Sequence, residues 1–453
     1  MQNRSPALML LLGLCNPALS QSVGFVAPRG DLPAGVIAST DFVTINATSP
    51  ELVEKNLIAA NGHDFRVNID FSLLITRIAD PKSLSNVYDD ANGTPRRKIF
   101  EPTVSNKVRK FLDDGQVKSK LTPYLEVLAR HRAHVGVLYL CDEPYVVGIS
   151  RQQMESKARV VRRLLEEQKI GDVKLGITFA SAMFDRRFAE LINLQASRYA
   201  MNIDNYVTER MNAIIFHSVN PSDFTHWVKT IRKSRLATYD LAGNMYTGGG
   251  IPAGFDVVGF DFYLSTILLD MTHDRSLAWF AENNLDPSCA PFAEKSMLDV
   301  RKSLSFFGNT EHRSNRERQT ADRRKLDTIY NCRMGAVLHL LKRNLGAHHP
   351  ELLLISESST NGVLDFDEKG NRRSNRSNGQ AKARVLDEVK RAESFYLLHI
   401  HEFSAGLAFF PYEDAHDVSI QLKIGGASSM PEVMHSILKF SRSVRRLRSE
   451  RKL

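Results

Sequence analysis

Residues 135–144, VGVLYLCDEP, decide the fold class. Their first seven residues form an apolar run of the length of a buried strand, and Asp142-Glu143-Pro144 ends the run. A second apolar run, LLLI at 352–355, stands just before Glu357. Carboxylates next to buried strands are costly unless they are paired or used. Both runs therefore direct attention to one end of a predicted sheet.

Outward from these two runs, short apolar stretches alternate with helical patterns. Ser49 with Pro50 predicts one helix start, and Ser150 with Gln153 predicts a capping box at another. The alternation predicts an α/β protein, a (β/α)8 TIM barrel with loop insertions. An open doubly wound sheet is the alternative, but no G-x-G-x-x-G follows an early strand. The eight strand candidates begin near Val23, Phe42, Phe65, Val135, Lys174, Phe255, Leu352 and Gly406.

Composition and charge narrow the function classes. The 453 residues are 43% hydrophobic and 25% charged, which is ordinary for a globular chain. No apolar run reaches the roughly 20 residues of a transmembrane helix. The net charge of +9 is concentrated in residues 301–343 and 439–453. Neither basic loop, at 309–324 or 369–382, interleaves aromatic residues as single-strand binders do, so we expect no nucleic acid. An anionic polymer or an acidic surface fits the same charge.

The termini and the cysteines predict an exported protein of one domain. Residues 1–20 have the charge, apolar run and small residues of a signal peptide, with cleavage near Ser20 and a secreted or periplasmic location. We expect a barrel domain at 22–441 and a basic disordered tail at 442–453. Cys141 should be buried and free, whereas Cys289 and Cys332 could pair. The oligomeric state cannot be read from the sequence.

Acidic residues recur where the candidate strands end. The active-site face of a (β/α)8 barrel is built from the carboxyl ends of its strands. Besides Asp142 and Glu143 after the fourth strand, Asp70 ends the third and Glu357 the seventh. Two further strand ends carry acidic and aromatic residues together: Asp261-Phe262-Tyr263 after the sixth strand, and Phe410-Pro411-Tyr412-Glu413-Asp414 after the eighth.

This order of residues resembles the superfamily of (β/α)8 glycoside hydrolases whose catalytic glutamates lie on strands four and seven. The resemblance spans residues 42–440, with motifs of three residues at most, and indicates no particular family. It implies that Glu143 is the acid/base and Glu357 the nucleophile, and that Tyr263 hydrogen-bonds the nucleophile. A carbohydrate substrate is then expected. Its predicted binding residues are Asp142, Tyr145, Asp261, Tyr263, Phe410 and Tyr412.

Two departures from the superfamily pattern keep a second function open. Asp142 stands where these enzymes usually have Asn, and an ionised carboxylate can only accept a hydrogen bond from a sugar hydroxyl. Phe409 and Phe410 stand where a Trp is common at the end of strand eight. The alternative is a catalytically inactive carbohydrate- or partner-binding barrel of the cell envelope.

The retaining mechanism gives a geometric expectation. Its two carboxyl groups should be about 5 to 5.5 Å apart, and the acid should have the raised pKa, here Glu143. Strand alternation places Glu143 on the side of Tyr139 and Cys141, and Glu357 on the side of Ile355.

Neither a cofactor nor a metal is expected. His399 and His401, two apart near a predicted helix end, point to different sides and would not chelate one ion. The sequence contains no H-E-x-x-H and no C-x-x-C.

Overall fold

The eight strand candidates close into a parallel barrel in the computed structural model. The structure describes residues 21–78, 109–145, 149–180, 182, 184–185, 250–261, 316–345, 349–360, 378–417 and 422–450. Each strand pairs with its neighbours in the chain, and the first pairs with the last. The predicted (β/α)8 barrel is confirmed. Its strands are β1 (Val23–Val26), β2 (Phe42–Asn46), β3 (Arg66–Asp70), β4 (Val135–Asp142), β5 (Lys174–Ala180), β6 (Val257–Asp261), β7 (Glu351–Glu357) and β8 (Gly406–Phe410).

Helices cover the outside of the barrel. The Ser49 side chain caps α2, and Ser150 and Gln153 form the predicted capping box of α5. The helices are α1 (Ala34–Ile37), α2 (Pro50–Ala59), α3 (Ser72–Ile75), α4 (Asp114–Arg130), α5 (Arg151–Glu167), α6 (Arg316–Asn344), α7 (Asn378–Leu398) and α8 (Pro431–Glu450). Two hairpins add to them, Thr76–Ile78 with Arg109–Phe111 and Ala415–Asp417 with Leu422–Ile424. No helix in the described part of the chain is long and apolar enough to cross a membrane.

The apolar residues form two separate cores. The larger packs the strands against the helices, and the smaller fills the barrel interior with Phe42, Tyr139, Val257, Leu353, Ile355 and Ala408. Along β7, Leu352 and Leu354 belong to the outer core, whereas Leu353 and Ile355 belong to the inner one. Because β7 pairs without a register shift, Glu357 lies on the inner side, as alternation predicts.

Strand β4 departs from simple alternation. Its register against β5 shifts between Tyr139, which pairs with Gly176, and Asp142, which pairs with Thr178. The extra residue of this bulge sends Cys141 to the outer core, while Tyr139 stays inside the barrel. The expectation that Glu143 shares one side with both Tyr139 and Cys141 is therefore wrong.

The C-terminal boundary also differs from the expectation. Residues 442–450 continue α8 instead of forming a disordered tail, because Val444 is buried and extends the apolar face of the helix. Asp41, only 6% exposed, accepts hydrogen bonds from Arg445 Nε at 2.8 Å and Arg448 Nη2 at 3.1 Å. Buried carboxylates need such partners, so the basic residues here hold the last helix to the barrel.

Four other expectations have different outcomes. Helices α6 and α7 begin at Arg316 and Asn378, so the second parts of both predicted basic loops are helical. Cys141 is buried and free, as expected. Cys332 is disulfide-bonded to a residue outside the described part, so its pairing with Cys289 stays a prediction. Residues 1–20, the predicted signal peptide, also lie outside it.

Candidate active site

One mouth of the barrel gathers the acidic residues that the sequence places at strand ends. All eight strands run parallel, so their carboxyl ends meet at the same edge. Asp70, Asp142, Asp261 and Glu357 are the last residues of β3, β4, β6 and β7, and Glu143 follows directly after β4. Tyr263, the predicted partner of the nucleophile, lies outside the described residues. The catalytic and binding roles of these residues stay predictions.

Glu357 is a buried carboxylate on the inner face of the barrel. It is 2% exposed, and its Oε1 accepts a hydrogen bond from the Ser359 hydroxyl. Glu357 pairs with Phe410 on β8 in the register of the barrel. The next residue, Ser358, donates its backbone N–H to Phe410 O at 2.7 Å, which continues this pairing. The hydroxyl of Ser359, two residues further along the chain, thus orients the Glu357 carboxylate at the mouth.

Glu143 is held in an unusual backbone conformation. Its φ of 46° lies in the left-handed region, which non-glycine residues rarely adopt. The backbone N–H of Glu143 donates to Thr178 O at 3.1 Å, which continues the β4–β5 pairing past the bulge. The side chain is half-buried. Such conformations cost about 1–3 kcal/mol and cluster at active sites, where the surroundings impose them.

Asp70 and Asp142 are joined by hydroxyl groups. Ser72 donates to Asp70 Oδ1 from its backbone N at 2.7 Å and from its hydroxyl. The N–H of Asp142 donates to Ser72 Oγ at 2.8 Å, and Thr178 Oγ1 donates to Asp142 Oδ1 at 2.5 Å. The two acids of neighbouring strands therefore share one hydrogen-bond network.

This network carries raised pKa values. Burial, followed by the nearby charge of Asp142, raises the pKa of Asp70 to about 6, against the hydrogen bonds from Ser72. Burial also raises the pKa of Asp142, and the hydrogen bond from Thr178 opposes it. Asp142 is exposed as a residue, but protein surrounds its carboxyl, which accepts the hydrogen bond from Thr178. Sequence reasoning noticed Asp70 only as a strand end, because its proximity to Asp142 depends on the fold.

The predicted aromatic residues separate into two groups. Phe410 packs on the inner core beside Glu357 and stays at the mouth. Tyr145 is 0% exposed and donates its hydroxyl to Gly250 O, and Tyr412 is 5% exposed in the outer core. Both rings are buried in the described part of the chain, and the assignment of Tyr145 and Tyr412 as sugar-binding residues stays a prediction. Both follow a strand end, where the chain turns them back toward the helices.

Asp261 extends the acidic edge on the other side of the barrel. It ends β6, four residues after Val257 of the inner core, and its Cα pairs with those of Ala180 and Ile355. Strand alternation therefore puts its side chain toward the barrel axis. Asp261 is half-buried, and its role in binding stays a prediction.

Comparisons with known proteins leave the family open. No family model and no curated protein matches the chain. Among solved structures, it is similar to a family 1 β-glucosidase from Thermotoga maritima at 11% identity, covering 90% of this chain and 85% of that one, with a TM-score of 0.35. It is also similar to a GH53 catalytic domain from Ignisphaera aggregans, at 10% identity, coverage of 94% and 92%, and a TM-score of 0.35.

A third similar structure is a glycoside hydrolase family 17 β-1,3-glucanosyltransferase from Rhizomucor miehei. The identity is 8%, the coverage is 90% of this chain and 92% of that one, and the TM-score is 0.34. Likeness at this level carries no argument about function. The barrel assignment therefore rests on the strand pairing of this chain, and the site rests on its own residues.

Proposed function

We propose that this protein hydrolyses a glycosidic bond with retention of configuration, with Glu357 as nucleophile and Glu143 as acid/base. One observation carries the proposal. The fourth and seventh strands of a closed barrel each bring a glutamate to the same mouth, one buried on the inner face and the other fixed in a left-handed backbone conformation. Barrel enzymes place their reacting groups at this end of the strands.

The chemistry follows from the two carboxyl groups. The Glu357 carboxylate attacks the anomeric carbon while the Glu143 carboxylic acid gives its proton to the leaving oxygen, and a glycosyl ester forms on Glu357. Glu143, now ionised, takes a proton from water as that water attacks the same carbon. The sugar leaves with its original configuration, and both residues return to their starting protonation states.

Asp142 can bind a sugar hydroxyl as an Asn amide would at this position in the glycoside hydrolases that the sequence resembles. An ionised carboxylate only accepts hydrogen bonds, but a protonated one also donates. Because burial raises the pKa of Asp142 and the pKa of its partner Asp70 is about 6, the pair keeps a proton at higher pH than exposed acids do. A protonated Asp142 then donates to a sugar hydroxyl as the amide would.

The test is a screen of aryl glycosides and polysaccharides with the protein and its Glu143→Gln and Glu357→Gln variants. We expect hydrolysis by the parent protein, loss of activity in both variants, and a first product of unchanged anomeric configuration by proton NMR. Binding of a sugar without hydrolysis would favour the inactive carbohydrate-binding barrel. Inversion would contradict the assignment of Glu357 as nucleophile.

We also propose that the protein is exported, on the strength of the apolar run before Ser20. Secreted protein should have Gln21 as its first residue in N-terminal sequencing. A mature protein that retains residues 1–20 would contradict this proposal.

A further inference from the structure

Arg109 brings a positive charge to the acidic mouth. It begins the second strand of the hairpin Thr76–Ile78 with Arg109–Phe111, which lies in the connection after β3. Arg109 Nε donates to Thr76 Oγ1 at 2.8 Å, and that hydroxyl donates to the Ser72 carbonyl oxygen. Ser72 is the residue that joins Asp70 to Asp142. The guanidinium is therefore tied to the network of the candidate active site.

The electrostatics agree with this position. The charge of Arg109 lowers the pKa of both Asp70 and Cys141, against larger opposing effects, so the guanidinium lies within reach of the ends of β3 and β4. Arg109 is half-buried, which limits the number of directions in which it can point.

The hydrogen bonds of Arg109 differ from those of the half-buried Arg162 and the buried Arg391. Arg162 pairs with Asp256, and Arg391 pairs with Asp327. Within the described part of the chain, Arg109 makes one hydrogen bond, through Nε, and no ion pair. Its two terminal nitrogens are thus available as a planar pair of donors, the geometry that matches a carboxylate.

We infer that Arg109 binds a carboxylate on the sugar, so that the substrate class is an acidic, uronic-acid-containing glycoside. The inference rests on the proposed function and specifies its substrate. Asp70, Asp142, Glu143, Asp261 and Glu357 lie at or next to strand ends around the mouth, and those of them that are ionised disfavour an anionic sugar. Arg109 is tied to the Asp70–Asp142 network, and its terminal nitrogens have no partner in the described part of the chain, so the guanidinium offsets that repulsion at one position and fixes the orientation of the ring.

The experiment compares substrates that differ only at C6. The probes are the 4-methylumbelliferyl β-D-glucuronide and β-D-glucoside, and the corresponding galacturonide and galactoside. Variants are Arg109→Ala, Arg109→Lys and, as a control on the same hairpin, the exposed Arg77→Ala. We expect Arg109→Ala to raise KM for the uronide about 10- to 100-fold with little change in kcat, the loss of one charge-assisted pair.

In the same experiment, the neutral glycosides should keep their KM, Arg109→Lys should retain part of the preference, and Arg77→Ala should behave as the parent protein. Equal losses on acidic and neutral substrates would show a structural role and overturn the inference. Binding of free D-glucuronate, D-galacturonate and D-glucose is measured calorimetrically beside the kinetics.

The possible outcomes separate the two proposals. Hydrolysis of neutral glycosides without any uronate binding overturns the inference and leaves the proposed function intact. Uronate binding that depends on Arg109, without hydrolysis of any glycoside, supports the ligand class and overturns the proposed function. Absence of both binding and hydrolysis overturns both.

Discussion

Acidic side chains have different partners at the two ends of the barrel. At the amino end, carboxylates meet cations: Lys174 pairs with Glu351 at 2.6 Å, and the buried Asp41 takes hydrogen bonds from Arg445 and Arg448. At the carboxyl end, Asp70 and Asp142 receive hydrogen bonds from hydroxyls and a backbone amide, burial raises the pKa of both, and the charge of Asp142 raises the pKa of Asp70 further. Neutralised charge stabilises a fold, whereas carboxylates kept near one another are suited to move protons.

A cavity lies at the amino end of the barrel and not at the end of the proposed chemistry. A cavity of about 790 Å³ opens at the amino end, with Phe42, Tyr139 and Leu353 among its lining residues. Its rim carries the Lys174–Glu351 pair. Because barrel enzymes react at the carboxyl ends of their strands, the cavity lies opposite the proposed chemistry, and its ion pairs serve stability.

The largest expected effect compares two glutamates of one strand. Glu351 and Glu357 begin and end β7 on the same face, at opposite mouths. Glu357→Gln should lower kcat at least about 10⁴-fold, as removal of a nucleophile does, while Glu351→Gln should keep the parent rate. The measurement is steady-state hydrolysis of the best aryl glycoside. Similar rates for the two variants would remove the functional difference between the mouths.

The second effect concerns the attachment of α8. Replacing Arg445 and Arg448 by Ala leaves the buried Asp41 with the Val23 N–H as its remaining hydrogen-bond donor in the described part of the chain. We expect a loss of about 3 kcal/mol in the free energy of unfolding, as when one partner of a buried ion pair is removed.

The matched control for that change is Arg442→Ala with Arg446→Ala, on the exposed side of the same helix. Those substitutions should cost less than about 0.5 kcal/mol each in urea unfolding. Equal effects of the two double variants would mean that the last turns of α8 do not hold the barrel.

The third effect is a pH dependence at the other mouth. The folded-state pKa of Asp70 is raised from 3.8 to about 6, so its contribution to stability is present below pH 4 and is lost as the pH rises through 6. Asp70→Asn cannot ionise and keeps an acceptor for Ser72. The variant should gain up to about 3 kcal/mol at pH 8 and less than about 1 kcal/mol near pH 4. Destabilisation at pH 8 would contradict the raised pKa.

The smallest effect belongs to the exposed pair at the amino end. The side chains of Lys174 and Glu351 are 45% and 34% exposed. Glu351→Gln should therefore change the free energy of unfolding by less than about 1 kcal/mol, and high salt should reduce the difference. A larger loss would mean that the amino-end pairs act as a coupled network.

Local patterns allowed most of the barrel to be predicted. Apolar runs marked all eight strands, and the regular alternation of β7 placed Glu357 on the inner face. Strand β4 could not be placed in the same way, since its bulge has no glycine or other sequence signal between Tyr139 and Asp142. A single extra residue there reverses which side chain faces the axis.

Long-range pairing explains the other failures. Arg445 reads as a solvated charge until its partner Asp41, 404 positions away in the chain, is known. Val444 continues the apolar spacing of Val433, Ile437 and Phe440, so the helix itself could have been extended from the sequence. The raised pKa of Asp70 arises first from burial and then from the charge of Asp142, and no local pattern contains either of them.

The most direct test of the central claim is to trap the glycosyl ester. The protein is incubated with 2,4-dinitrophenyl 2-deoxy-2-fluoro glycosides of the sugar that it hydrolyses best, and intact mass and peptide maps are recorded. The account predicts a gain of one fluorosugar, located on Glu357, in the parent protein and none in Glu357→Gln. A label on any other residue, or an inverted product without a label, would contradict it.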